Sequence, residues 1–337
     1  MYRAFTKETI SGYQVYRKSY ETFAPLVGRP AWPPEKRVLI EWCAIRAEGS
    51  TLPRQGQLKP DSIASAFSAL RAVLTWRGES TEVLDDPLIK QVRTGIKKCF
   101  TTGKVKAEPI SVVQLEGITS PAPETLGQEP GKLSNAAADK LNMDTAFKVA
   151  FAGFMRAKEV THELNDLKEP GVFEKTKLLR KDIHFADEHA VLRLRSSKTD
   201  LEKKGVEIVL PATGSATCPV KALRSLLYLD PQAPNAPLFN LRQGAFTRDK
   251  YVKGIRDGLS RLGVANPHLY AGHSFRRGAA QHASDNGILD EDIQRLGRWT
   301  SDAFKGYFSI SLKHKFLLAR PFLTGRSVPV INTSLNV

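Results

Sequence analysis

Cysteine is scarce in this 337-residue chain. The three present, Cys43, Cys99 and Cys218, stand far apart and form no CxxC pair. A disulfide scaffold and a cysteine zinc site are thereby disfavoured, and a reducing compartment is expected. No apolar run approaches the roughly 18 residues of a membrane span, and the mean hydropathy is −0.29. The stretch Met1-Tyr2-Arg3-Ala4-Phe5-Thr6-Lys7-Glu8 has no signal-peptide character, so a soluble intracellular protein is expected. A GxxxxGK[ST] phosphate loop, an HExxH motif, internal repeats and low-complexity tracts are also missing. Acid is in the minority, with 35 Asp+Glu against 50 Lys+Arg, a net charge of +15. At 41% hydrophobic and 25% charged residues the chain is globular rather than a disordered polycation. The surplus of positive charge calls for a polyanionic partner, and nucleic acid is the expected one.

That charge is unevenly spread. Residues 1–106 hold a net +8 and the remaining chain +7, so the first third is about twice as dense, as expected of a part that grips a phosphate backbone. The polar stretch Thr101 to Pro109 reads as a linker. Before it, apolar residues at three- and four-residue spacing predict helices over Thr6–Ala24, Glu35–Glu48, a segment opened by Pro60-Asp61-Ser62, and Pro87–Phe100. Trp32, Trp42 and Trp76 fit these patterns as core residues. Arg71, Arg77, Lys90, Arg93, Lys97 and Lys98 are expected to face outward; all but Lys90 are taken as DNA-binding candidates, a solvated charged face being the alternative for each. After the linker, Leu141–Leu164 reads as a helix or helix pair, and short β-like runs follow at Asp182–Phe185, Val191–Arg195 and Val206–Leu210. Helical patterns return over Pro219–Leu229, Thr247–Leu262, Ser274–Asn286, Asp290–Arg295 and Ser301–Phe308. Gly117 to Gly131, with three prolines, reads as an exposed loop. The fold class expected is mainly α with a small β-sheet.

Chemistry concentrates late in the chain. In Gly272-His273-Ser274-Phe275-Arg276-Arg277-Gly278, His273 and Arg276 lie three apart at a predicted helix start. An imidazole and an anion-binding guanidinium thus share one side of a helix N-terminus, a position that favours phosphate. Arg277 points about 100° away. On its own an HxxR pair is weak, a capped surface helix being the plainer reading. His268, His273 and His282 have no metal-ligand spacing, so neither a metal nor a cofactor is expected.

A second stretch, Leu296-Gly297-Arg298-Trp299-Thr300-Ser301-Asp302-Ala303-Phe304-Lys305-Gly306-Tyr307-Phe308, makes the pattern specific. Together with HSFRRGAA it resembles the C-terminal signature of tyrosine recombinases, the phage-integrase superfamily. The nearest flavour is that of the recombinases of eukaryotic mobile elements of Crypton and DIRS type. Ala152-Gly153-Phe154-Met155-Arg156-Ala157-Lys158-Glu159 matches the pattern of the family's first catalytic arginine. Ser196-Ser197-Lys198-Thr199-Asp200 lies where the family keeps a lysine, and Lys106–Ile110 resembles the lead-in to its catalytic domain. The resemblance spans roughly residues 106–323.

It implies a helical core-binding domain over 1–106, a catalytic domain over 107–323, and a tail over 324–337 that could dock on a neighbouring protomer. The two domains are expected to close round duplex DNA as a C-shaped clamp, working as a homodimer to homotetramer. The implied reaction is strand cleavage and rejoining through a 3′-phosphotyrosyl link, without metal or ATP. Tyr307 is the implied nucleophile. Arg156 and Arg276 would clamp the non-bridging phosphate oxygens, and His273 would assist proton transfer. Trp299 would bond a phosphate oxygen, Lys198 would be the general acid, and Glu159 would orient Arg156 or His273. Alternatives remain open: Lys203 or Lys204 for Lys198, a structural pair for Arg156 with Glu159, and a core aromatic for Tyr307. The step of eight residues from Trp299 to Tyr307 is one shorter than in many bacterial relatives. A mobile-element origin implies a nuclear location, and otherwise a cytoplasmic, DNA-associated one. A type IB topoisomerase or a non-catalytic DNA-binding protein on the same fold are the other functions considered.

Overall fold

The computed structural model describes residues 7–49, 57–100, 106–195 and 205–307. Two compact units divide the chain, Met1–Val105 and Lys106–Val337.

The first unit is helical among its described residues, with α1 (Lys7–Leu26), α2 (Lys36–Glu48), α3 (Pro60–Arg77) and α4 (Pro87–Phe100), close to the predicted spans. Proline at the first position and Asp61 in the first turn favour the start of α3. Gly78, at φ 71°, ends it, its N–H donating to the carbonyls of Leu74 and Thr75. The apolar stripe of α3, Ile63, Phe67, Leu70 and Leu74, packs around Trp42 of α2 and Tyr20 of α1. Trp42 is wholly buried and its indole N–H donates to Ser19, which confirms it as core.

The second unit is mainly helical around a three-stranded antiparallel sheet of order β1-β2-β3 (Ile183–Phe185, His189–Leu194, Val206–Pro211). Leu192 pairs with Ile183 and Ile208, so one sheet face is apolar and turned to the core. The expected run 141–164 is two helices, α6 (Asn135–Ala152) and the one-turn α7 (Ala157–Val160), preceded by α5 (Val112–Ile118). The break lies at Gly153-Phe154, where Phe154 takes φ 49° and a Cβ on Gly153 would press on Ile208 and Met155 at 3.1 Å. Neither constraint is visible in apolar periodicity. After α8 (Pro170–Thr176) and the sheet come α9 (Pro219–Leu229), α10 (Arg248–Arg261), α11 (Ser274–Asp285) and α12 (Asp290–Gly297). The expected helix over 301–308 is a 3-10 turn, Asp302–Gly306, that delivers Tyr307.

α6 packs against α9 and α11. One buried polar knot braces this core. Asp230 accepts from Arg180 (3.1 Å), from Asn142 (2.8 Å) and from Arg242. α11 approaches the segment before α5 so closely that a Cβ on Gly278 would lie 1.9 Å from the carbonyl oxygen of Ile110. Only glycine fits there, and the Ile110 N–H donates to Ser274 at 3.1 Å across the same contact. No described helix is long and apolar enough to cross a membrane.

Candidate active site

Three segments far apart in sequence meet at one end of the second unit: the turn 153–159, the start of α11, and residues 297–307. Arg156 caps α7, and Glu159 closes the turn beneath it. The Glu159 carboxylate accepts from the Arg156 backbone N–H (2.9 Å) on Oε2 and from Arg156 Nη1 (2.8 Å) on Oε1. The pairing of Arg156 with Glu159 is thus present in the structure.

His273 is the N-cap residue of α11 but makes no side-chain capping bond. Ser274 bonds backward instead, its hydroxyl accepting from the Ala271 N–H at 2.9 Å. The His273 Nδ1 lies 3.4 Å from the Tyr307 hydroxyl. The pocket wall partly desolvates the imidazole, and the guanidiniums of Arg276, Arg156, Arg248 and Arg277 repel its proton; both hold its pKa below the usual histidine value. It is therefore neutral at neutral pH and able to accept a proton.

Arg276 does not fit the plainer reading of a capped surface helix. It is 0% exposed, because Phe275, Ala279 and Ala280 set the inward face of α11. Its Nη1 donates to the Phe154 carbonyl at 2.6 Å and its Nη2 to the Gly297 carbonyl. The Trp299 ring covers the fork, 4.0 Å from the guanidinium carbon. Burial, then the like charge of Arg156, pushes its pKa down to about 9, still a cation at neutral pH. Trp299 also packs edge-on against Tyr307, ring centres 5.1 Å apart.

Two arginines without an assigned role complete the pocket. Arg298 donates to the Gly153 carbonyl (2.9 Å) and to Glu159 Oε2 (3.0 Å). Arg277 donates to the Gly306 carbonyl (2.9 Å), which Lys106 also reaches at 3.3 Å, and its guanidinium lies 5.8 Å from the Tyr307 ring. The Nε atoms of Arg276, Arg277 and Arg298 are buried without an acceptor. Arg156 and Arg298 share the Glu159 carboxylate, and buried donors left without an acceptor are costly unless an anion meets them. The sequence signal for Arg298 was its place inside the LGRW motif; nothing in the spacing tied it to Glu159.

Lys198, Lys203 and Lys204 lie outside the described residues, as does the tail 324–337. In the first unit the DNA-binding candidates are placed variously. Arg71 is half-buried and engaged with Thr81 (3.1 Å) and Asp85 (2.9 Å). Arg77 pairs with Glu79 at 2.6 Å and lies over the Trp32 ring. Arg93 is half-buried, 4.5 Å from the Phe67 ring centre. Lys97 and Lys98 are exposed on α4. The expectation that all face outward is thus qualified for Arg93, whose guanidinium packs on the Phe67 ring.

No protein-family model matches the chain. A curated relative, the integrase/recombinase xerD homolog of Selenomonas ruminantium, is 31% identical over 144 residues, 39% of this chain and 41% of that protein. The match therefore spans about two fifths of that relative's length. Among solved structures, the XerH site-specific recombinase bound to palindromic difH substrate, a post-cleavage complex, superposes with TM-score 0.60 at 13% identity, over 94% of this chain and 79% of that one. The Tn1549 transposon integrase in complex with transposon right-end DNA gives 0.57 at 13% identity, over 95% of each chain. The fold is that of the tyrosine recombinases. A lambda integrase dimer bound to a COC′ core site agrees, with TM-score 0.52 at 14% identity over 90% of this chain and 89% of that one. The sequence match and these likenesses together support the tyrosine recombinase/integrase superfamily.

Proposed function

We propose that this protein is a site-specific recombinase that cuts and rejoins duplex DNA through a 3′-phosphotyrosyl link. The observation that carries the reading is the Tyr307 hydroxyl, 3.4 Å from a histidine kept neutral, beside a cluster of guanidiniums with unpartnered buried N–H groups. A phenol beside a base is a nucleophile, and a cluster of cations fits a phosphodiester gaining charge.

In the proposed step, Tyr307 Oη attacks the scissile phosphorus and its proton passes to His273 Nδ1. The P–O5′ bond breaks, and the departing 5′ oxygen takes a proton from Lys198. Arg156 offers its fork from the turn before α7. Arg276 reaches the phosphate only when Trp299 swings off its face, and its Nε–H then gains the acceptor it lacks. Religation runs the same step backward, the phosphotyrosyl link having kept the phosphodiester energy. The first unit, denser in charge, would hold the backbone, with Lys97 and Lys98 among its exposed cations.

The finer reading is a recombinase of a mobile element, of Crypton or DIRS affinity, acting in a nucleus as a tetramer with the 324–337 tail docked on a neighbour. The eight-residue step from Trp299 to Tyr307 is compatible with it. The test is a nicked suicide duplex run on a denaturing gel. A covalent adduct lost in Tyr307→Phe supports the enzyme; binding without adduct supports a non-catalytic binder. Relaxation of arbitrary supercoiled plasmid supports a topoisomerase.

A further inference from the structure

Arg298 has no part in the step just drawn, yet it occupies the most constrained position in the pocket. It follows α12 in the left-handed conformation, φ 57° and ψ 44°, which a long side chain adopts only where its surroundings compel it. Its side chain is 10% exposed, and burial holds its pKa below the usual arginine value. One Nη grips the Gly153 carbonyl and the other the Glu159 carboxylate. Glu159 is 7% exposed and is itself bound to the backbone and fork of Arg156. A single carboxylate therefore stands between two guanidiniums, one on the phosphate-binding turn and one on the segment that carries Trp299 and Tyr307.

We propose that Arg298 is a positioning residue for strand cleavage. By occupying Glu159 Oε2 it limits the hold of Glu159 on the Arg156 fork, leaving that fork free to turn to phosphate. By holding Gly153 it fixes the Tyr307 segment against the same turn. This rests on the recombinase reading above. Without Arg298, Glu159 is free to turn both oxygens onto the Arg156 fork, and the two segments part. Both Nη groups of Arg298 face protein, so the defect falls on the chemical step and not on DNA affinity. Lysine keeps the charge but cannot serve Gly153 and Glu159 together.

The test uses the full chain and a pool of nicked duplexes with randomised cores, comparing Arg298→Ala, Arg298→Lys, Glu159→Gln, the Arg298→Ala/Glu159→Gln double variant and Tyr307→Phe. The readouts are single-turnover adduct formation at saturating DNA, Kd for the same pool, and Tm. Arg298→Ala is expected to slow adduct formation about 100-fold, the scale of a small misplacement in a reacting pair, with Kd changed less than about threefold. Arg298→Lys recovers part of the rate, and the double variant is no slower than its slower parent, because the two residues act through one link. Rate losses that add, or that vanish once scaled to the folded fraction, overturn the proposal. Should Arg298→Ala not fold, Arg298→Lys decides: a wild-type rate overturns the proposal, and a slowed rate at unchanged Kd supports it. An adduct that depends on Tyr307 but not on Arg298 defeats this inference alone. No adduct from the wild type defeats the recombinase reading and this inference with it.

Discussion

Gly278→Ala is the sharpest test of how the site is held. The added Cβ would sit 1.9 Å from the Ile110 carbonyl oxygen, 2.9 Å from its carbonyl carbon and 3.0 Å from its nitrogen. All three are backbone atoms, so no rotamer change relieves the clash. Reaching ordinary carbon–oxygen contact requires α11 and the 110 segment to part by more than 1 Å, on the order of a bond length. Ile110, 0% exposed, then loosens from the core, and its N–H bond to Ser274 at 3.1 Å is lost. Overpacking costs about 1–3 kcal/mol and the lost hydrogen bond about 1 kcal/mol, so roughly 3 kcal/mol in all. For a unit of this size that lowers Tm by roughly 6–12 °C. Differential scanning calorimetry reads it, on the transition of the second unit. Gly95→Ala is the counterpart: Gly95 lies within α4 with nothing within 4 Å of a Cβ, so alanine should stabilise the first unit by about 0.5–1 kcal/mol. A Gly278→Ala protein as stable as wild type would refute the reasoning.

Three further outcomes follow, two from buried groups and one from the His273–Tyr307 pair. His162 is 3% exposed and its Nε2 accepts from the Phe246 N–H (3.4 Å). Burial, then Lys177, pushes its pKa from 6.5 down to about 4. Its depressed value means that its contribution is complete above pH 6.5 and is lost as pH falls towards 4. Urea titrations over that window should show a loss on the order of 3 kcal/mol that His162→Gln abolishes; an unchanged slope contradicts it. Arg180→Ala leaves Asp230 (2% exposed) without one of its cations and should cost about 3–5 kcal/mol in calorimetry. If His273 accepts the Tyr307 proton, the rate of adduct formation should fall at low pH with a midpoint below 6.5, since burial and four arginines lower its pKa. A midpoint above 6.5 opposes that role.

The helices of the first unit were legible because periodicity and stop signals coincide: Pro60 opens α3 and Gly78 closes it. The strands were legible as short β-branched runs, and the sheet pairs them in chain order. The break after α6 was not, since Phe154 takes its positive φ under tertiary packing against Ala279, Ala280 and Ile293. At the site, HxxR spacing put His273 and Arg276 together at a helix start, but could not show that Arg276 lies inward beneath Trp299. Nor could it show Arg298 reaching Glu159, 139 residues away. Periodicity reads one element at a time, whereas these contacts join three segments.

The central claim is that Tyr307 becomes covalently joined to DNA. Its direct measurement is mass spectrometry of the protease-digested adduct formed with nicked duplex. The account predicts a nucleotide linked through 3′-phosphate to the peptide containing Tyr307, absent from Tyr307→Phe. A linkage at any other residue, or DNA bound tightly with no linkage in the wild type, would contradict it.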